Sequence, residues 1–225
     1  MELALFSENS LAFFTRWVHL LTGVTWIGLL YYFNFIQGEY FKEADGGAKS
    51  DVIQKLVPRA LWWFRWGAMF TFLSGTYLLY LKQLSGMGIM IGVIMGTIMF
   101  LNVWLIIWPN QKIVIASAKQ VAGGGEALPA AAAALAKAGL ASRTNTLFSI
   151  PMLFFMASSM HLSQLQIQNS IHNASAASLV AVYGLIAVLA LNGVVGKTGP
   201  FTSVKGVIGG GFLLTAVLYL LVEMV

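Results

Sequence analysis

Three histidines and no cysteine limit the chemistry open to this chain. Without thiolates there are no disulfides, no iron–sulfur clusters and no C-x-x-C-H haem attachment. Any cofactor must then be held by histidine, methionine or oxygen ligands. His19 stands inside an apolar run, TRWVHLLTGVTWIGLLYYF, three residues after Arg16. At helical spacing Arg16, His19, Gly23, Trp26 and Leu30 share one face. His161 closes a second apolar run, which also carries Met152, Met156 and Met160 in a stripe. Two imidazoles at one depth, or an imidazole and a thioether, suit a haem lying edge-on between two helices. Gly23, one turn inward of His19, would give a flat porphyrin room, and Arg16, one turn outward, could pair with a propionate. His161 is the expected second ligand and Met160 its rival. A plainer account uses the same residues. Arg16 can snorkel to the membrane interface, His19 can be a packing histidine bonded to a neighbouring helix, and a methionine stripe commonly fills a core. His172 falls in a polar, uncharged connection and is expected to be hydrated.

The elements that position these residues follow from composition. Of 225 residues, 58% are hydrophobic and 9% charged, where a soluble domain carries about a quarter charged. Charge-free runs cover Trp17 to Gly38, Trp66 to Leu81, Gln83 to Gln111, Thr144 to Gly196 and Gly206 to Val222. A span needs roughly 20 mostly apolar residues. The fold expected is therefore all-α, a polytopic membrane helical bundle forming a single domain. Its six transmembrane helices fall at about Leu11–Phe35, Ala60–Leu81, Gly86–Trp108, Ala141–Leu162, Ala177–Val195 and Val204–Leu221.

Charge sets the orientation. The first, third and fifth connections hold Lys42, Lys49, Lys55, Arg59, Lys112, Lys119, Lys137, Arg143, Lys197 and Lys205, against Lys82 alone on the other side. Basic residues stay inside, so these connections are expected in the cytoplasm and both termini outside. His19 and His161 then lie in the outer half. The net charge of +5 follows from this asymmetry and does not call for nucleic acid. The start, MELALFSENS, lacks the basic n-region of a signal peptide.

Arg65, in LWWFRW, reads as part of an interfacial belt with Trp62, Trp63 and Trp66. No Asp or Glu lies inside a span, which disfavours a carboxylate-based pump or transporter. The glycines at 88, 92 and 96, and at 206 and 210, read as helix-packing stripes. The longest connection, Pro109 to about Leu140, is expected to hold a short surface helix from near Pro129. GVVGKTG evokes a phosphate loop, but Leu191 stands where its first glycine would be, so it reads as a turn.

Four segments in order resemble the bacterial membrane-bound urate hydroxylases, through the urate oxidase N-terminal membrane domain. They are RWVHLLTGVTWIGLLYYF, LWWFRWGAMFTFLSG, GTIMFLNVWLIIWPNQK and ASRTNTLFSIPMLFFMASSMH. Full-length members join this domain to an external cytochrome c domain and oxidise urate. The resemblance implies a redox setting in the bacterial inner membrane and matches His19 to the family's first-helix histidine. Departures are specific. Thr144 stands at a histidine of the family's S-x-H-N pattern, Gly67 at a glutamate, and the family's later histidine aligns nearer Met160 than His161. The chain ends at Val225 after a span and has no cysteine, so the cytochrome c domain is expected to be absent. The reading is a haem b-binding multi-pass protein exchanging electrons with an external cytochrome c, itself an oxidoreductase or an electron-transfer subunit. The alternative is a non-catalytic accessory subunit of a larger membrane complex.

Overall fold

Charge ends the apolar runs of this chain but not its helices. The computed structural model describes residues 8–162 and 175–224, and among them every regular element is helical. Helix α1 (Glu8–Tyr31) widens into a π-helical turn, Tyr32–Gln37, and continues as α2 (Gly38–Glu43). Asp45 then caps α3 (Gly46–Lys82), its carboxylate accepting from the backbone N–H groups of Gly47 and Ala48 at 2.8 and 2.9 Å. Helix α3 has 37 residues, roughly 56 Å at 1.5 Å per residue, nearly twice the ~30 Å hydrocarbon thickness. The expected first connection is thus helical for most of its length. Its charged residues ended the apolar run, yet Val57, Ala60, Leu61 and Phe64 still bury one stripe of the helix.

Helix α4 (Met87–Leu101), a π turn at Asn102–Ile107 and α5 (Trp108–Ala122) form a second continuous rod. Pro109 does not end it. Proline has no N–H for the carbonyl four residues back and its ring crowds that carbonyl. The preceding turn relaxes to π geometry, and Asn110 returns a donor, Nδ2 to the Ile106 carbonyl at 2.7 Å. The rod stops at Gly123–Gly125, where Gly124 takes a φ of 87°. Helix α6 (Ala131–His161) follows. The surface helix expected near Pro129 and the fourth span are therefore one element. The intervening AAAALAKAGLAS holds good helix formers and only one glycine, so nothing breaks it. Helices α7 (Ala176–Val195) and α8 (Val204–Met224) complete the fold. GVVGKTG forms the turn expected between them, with Asn192 Nδ2 donating to the Lys197 carbonyl at 3.1 Å.

By length and composition four helical stretches can cross a membrane: Asn9–Glu43, Met87–Ala122, Ala176–Val195 and Val204–Glu223. Helices α3 and α6 are longer than needed but more polar. For α6 the reason is position, because it contacts α1, α4, α5, α7 and α8. Its Thr144, Asn145, Thr146, Ser149 and Ser158 are buried against protein. A central helix does not need lipid-facing hydrophobicity all round, and side-chain hydrogen bonds hold such helices together.

The glycine stripes are packing surfaces. A Cβ on Gly92 would lie 2.7 Å from Met156 Cγ, and one on Gly96 3.5 Å from Met152 Sδ. The methionines of α6 therefore fill the groove of α4. Likewise a Cβ on Gly210 of α8 would meet Leu147 Cδ1 at 3.2 Å.

Candidate functional site around His19

Helices α1 and α3 form the most extensive helix pair of the fold, and His19 sits in their seam. Contact is closest at Gly67. A Cβ there would lie 3.2 Å from Trp26 N and 3.4 Å from the Thr22 carbonyl oxygen, so the helices meet backbone to backbone. One turn further along α3, Thr71 Oγ1 donates to the Gly67 carbonyl at 2.7 Å and lies 3.0 Å from Thr22 Oγ1. The next turn holds the histidine. His19 Nδ1 lies 2.9 Å from the Thr71 carbonyl oxygen and 3.2 Å from Ser74 Oγ. A carbonyl only accepts, so the Nδ1 position carries the proton and Nε2 keeps its lone pair. The ring lies in a niche over Gly75, where a Cβ would come within 2.9 Å of Cε1, 3.2 Å of Nδ1 and 4.0 Å of Nε2. Cε1 and Nδ1 are thus the ring atoms pressed on Gly75, with Nε2 next at 4.0 Å.

The face on which His19 lies opens toward the outer end. Leu30 and Trp26 are buried, Gly23 and His19 half-buried, and Arg16 exposed. At Gly23 an added Cβ would meet only Thr71 Cγ2, at an ordinary 3.8 Å. Helix packing therefore does not demand glycine there as it does at Gly67. Trp26 keeps its indole Nε1 buried without a hydrogen-bond partner.

Residues 82–187 match the family model described as urate oxidase N-terminal. The match covers slightly under half of the chain and bears out, over that stretch, the resemblance to the urate hydroxylase membrane domain. Among curated proteins and among solved structures nothing matches. The matched stretch contains Met160, His161 and the PNQ signature, and it begins where α3 ends, after the His19 niche.

Met160 and His161 both lie exposed at the C-terminal end of α6. Tyr31 and Ser149 share a hydrogen bond of 2.9 Å between Oη and Oγ. From that bond His19 and His161 each stand twelve residues outward, about 18 Å at 1.5 Å per residue. No contact joins either Met160 or His161 to His19 among the described residues. His172 lies outside the described residues. No three His, Asp or Glu side chains converge among the described residues.

The positions that depart from the family pattern are closed by packing. Gly67 is the α1–α3 contact itself. Thr144 packs on Gly193 of α7, where a Cβ would meet its Oγ1 at 2.5 Å, and its hydroxyl donates to the Leu140 carbonyl at 3.1 Å. Sequence reasoning missed Thr71, Ser74 and Gly75. The only available signal was their occurrence at the end of LWWFRWGAMFTFLSG, and nothing in the string pairs them with residue 19.

Proposed function

We propose that this is a haem b-binding membrane protein of the urate hydroxylase membrane-domain type, which exchanges electrons with a cytochrome c at its outer end. The observation carrying this reading is the commitment of His19 Nδ1 to the Thr71 carbonyl. Metal-ligating histidines almost always donate their second nitrogen to such a partner, which fixes the tautomer and raises ligand basicity. The room beside Gly23 and the orphaned Trp26 donor on the same face also fit a flat ligand with polar edges.

In this reading His19 Nε2 would hold the haem iron. His161 would be the second ligand, with Met160 as its rival. Arg16, exposed one turn away on the same face, would hold a propionate. Bound haem b supplies a one-electron couple. The chain supplies orientation through Thr71, Ser74 and Gly75, and an apolar shell that excludes water. The enclosed Thr144 and Gly67 leave no space for the polar groups that the family pattern has there, so electron transfer is favoured over urate chemistry.

An absorption spectrum of the purified protein, oxidised and reduced, tests this. A Soret band is expected that His19→Ala abolishes, while His161→Ala and Met160→Leu identify the second ligand by which shifts it. Absence of haem from the wild-type protein expressed with adequate haem supply would sink the proposal. The accessory-subunit reading draws on α1, whose outer half exposes Phe13, Trp17, Leu20, Leu21 and Val24. Migration as a lone small species in a native gel would count against it.

A further inference from the structure

Arg65 is a half-buried cation between α3 and α5, and no described residue offers it an anion. Its guanidinium carbon lies 3.5 Å from the centre of the Trp108 ring and 5.6 Å from that of Trp104. Its Nε is buried with no hydrogen-bond partner. The ion pairs among the described residues are Lys42–Glu39 and Lys55–Asp51, and neither includes it. No Asp or Glu occurs in the sequence between Asp51 and Glu126, so the paired stretches of α3, α4 and α5 carry no carboxylate at all. Lys112 Nζ lies 5.6 Å from the same Trp108 ring. Two cations therefore share one indole without a counter-charge.

Nearer the start of α3, Pro58, Arg59, Trp62 and Trp63 line a shallow, open depression. Trp62 connects it to the cluster, lying 6.3 Å from Trp66, which meets Trp104 edge-on at 5.8 Å. A guanidinium stacked by its face on an indole still presents its in-plane N–H groups, whose fork matches phosphate oxygens. Trp62 and Trp63 are exposed on the outside of the bundle. Unpaired cations within membrane helices seek a partner, and basic pockets at the positively charged end of a bundle suit phospholipid head groups.

We propose that Arg65 and Lys112, which share the Trp108 indole, bind the phosphate of an anionic phospholipid. Its glycerol backbone rests against the exposed tryptophans of α3.

The test is native mass spectrometry of the full chain in mild detergent, titrated with phosphatidylglycerol and with phosphatidylcholine of the same acyl length. Phosphatidylglycerol is expected to be retained preferentially. Arg65→Gln and Lys112→Gln are each expected to weaken it about fivefold, from the ~1 kcal/mol per basic residue typical at a membrane surface. Lys112 is exposed, so its variant folds even if the Arg65 variant does not. Arg16→Gln, at the other end, should leave retention unchanged. Equal retention of the two lipids, or full retention by Lys112→Gln, would overturn the site. Displacement of phosphatidylglycerol by millimolar inorganic phosphate would overturn the lipid assignment in favour of a free anion.

Discussion

Substituting Gly75 by alanine separates the orientation of His19 from the stability of the fold. The new Cβ would lie 2.9 Å from His19 Cε1 and 3.2 Å from Nδ1. Carbon atoms in good contact stand roughly 3.5–4.0 Å apart, so the ring must withdraw by about 0.6 Å or more. The hydrogen bond from Nδ1 to the Thr71 carbonyl, now 2.9 Å, then stretches to about 3.5 Å, where it no longer counts as one. Its loss costs about 1 kcal/mol, while alanine in place of glycine in a helix returns about 0.5–1 kcal/mol. The two nearly cancel. Thermal unfolding in detergent should therefore move by only a few degrees. Haem affinity should fall about 10–100-fold, the usual consequence of losing a residue that orients a metal ligand. Nitrogen NMR of the imidazole gives a readout independent of haem, since the wild-type Nδ1–H tautomer should give way to a mixture. Gly23→Ala is the comparison for stability, because its Cβ finds only ordinary contact with Thr71. If Gly75→Ala keeps both the haem affinity and the tautomer of the wild type, the niche does not orient His19 and the argument from it fails.

The polar core gives a second expectation. Asn145 accepts from Asn102 Nδ2 at 2.8 Å and donates to the Met99 carbonyl at 2.9 Å, both buried. Asn145→Ala would orphan both groups and should cost about 2–4 kcal/mol, read from the unfolding midpoint in detergent. Gly92→Val forces Met156 out of its groove and should cost about 1–3 kcal/mol by the same measurement. Thr144→His, which restores the family's residue type, should lower the yield of folded protein, because Gly193 already contacts the threonine. Wild-type yield and melting would show that α7 moves aside freely.

Much of the architecture was legible because lipid imposes a length and a composition on each span. Each of the six expected spans falls on a helical stretch, and glycines 92 and 96 marked a real packing surface. The helix ends were not legible. Apolar runs stop where the solvent changes, whereas α3, α5 and α6 extend beyond them on buried stripes such as Val57, Ile115 and Ala138. PNQ is a further case. Pro109 reads as a helix stop, yet the π turn and the Asn110 side chain carry the helix past it.

The sequence by itself determined that the chain is a membrane protein, that its basic residues gather at one end, and that Arg16, His19 and Gly23 share a face. Each of these follows from composition or from helical periodicity, which are local. Only the tertiary structure decided which nitrogen of His19 is committed, that Gly75 makes its niche, and that Met152 and Met156 fill a groove rather than face a ligand. Those facts depend on which helix lies beside which and in what register. Residue 19 meets residues 71, 74 and 75 because Gly67 brings α1 and α3 into backbone contact.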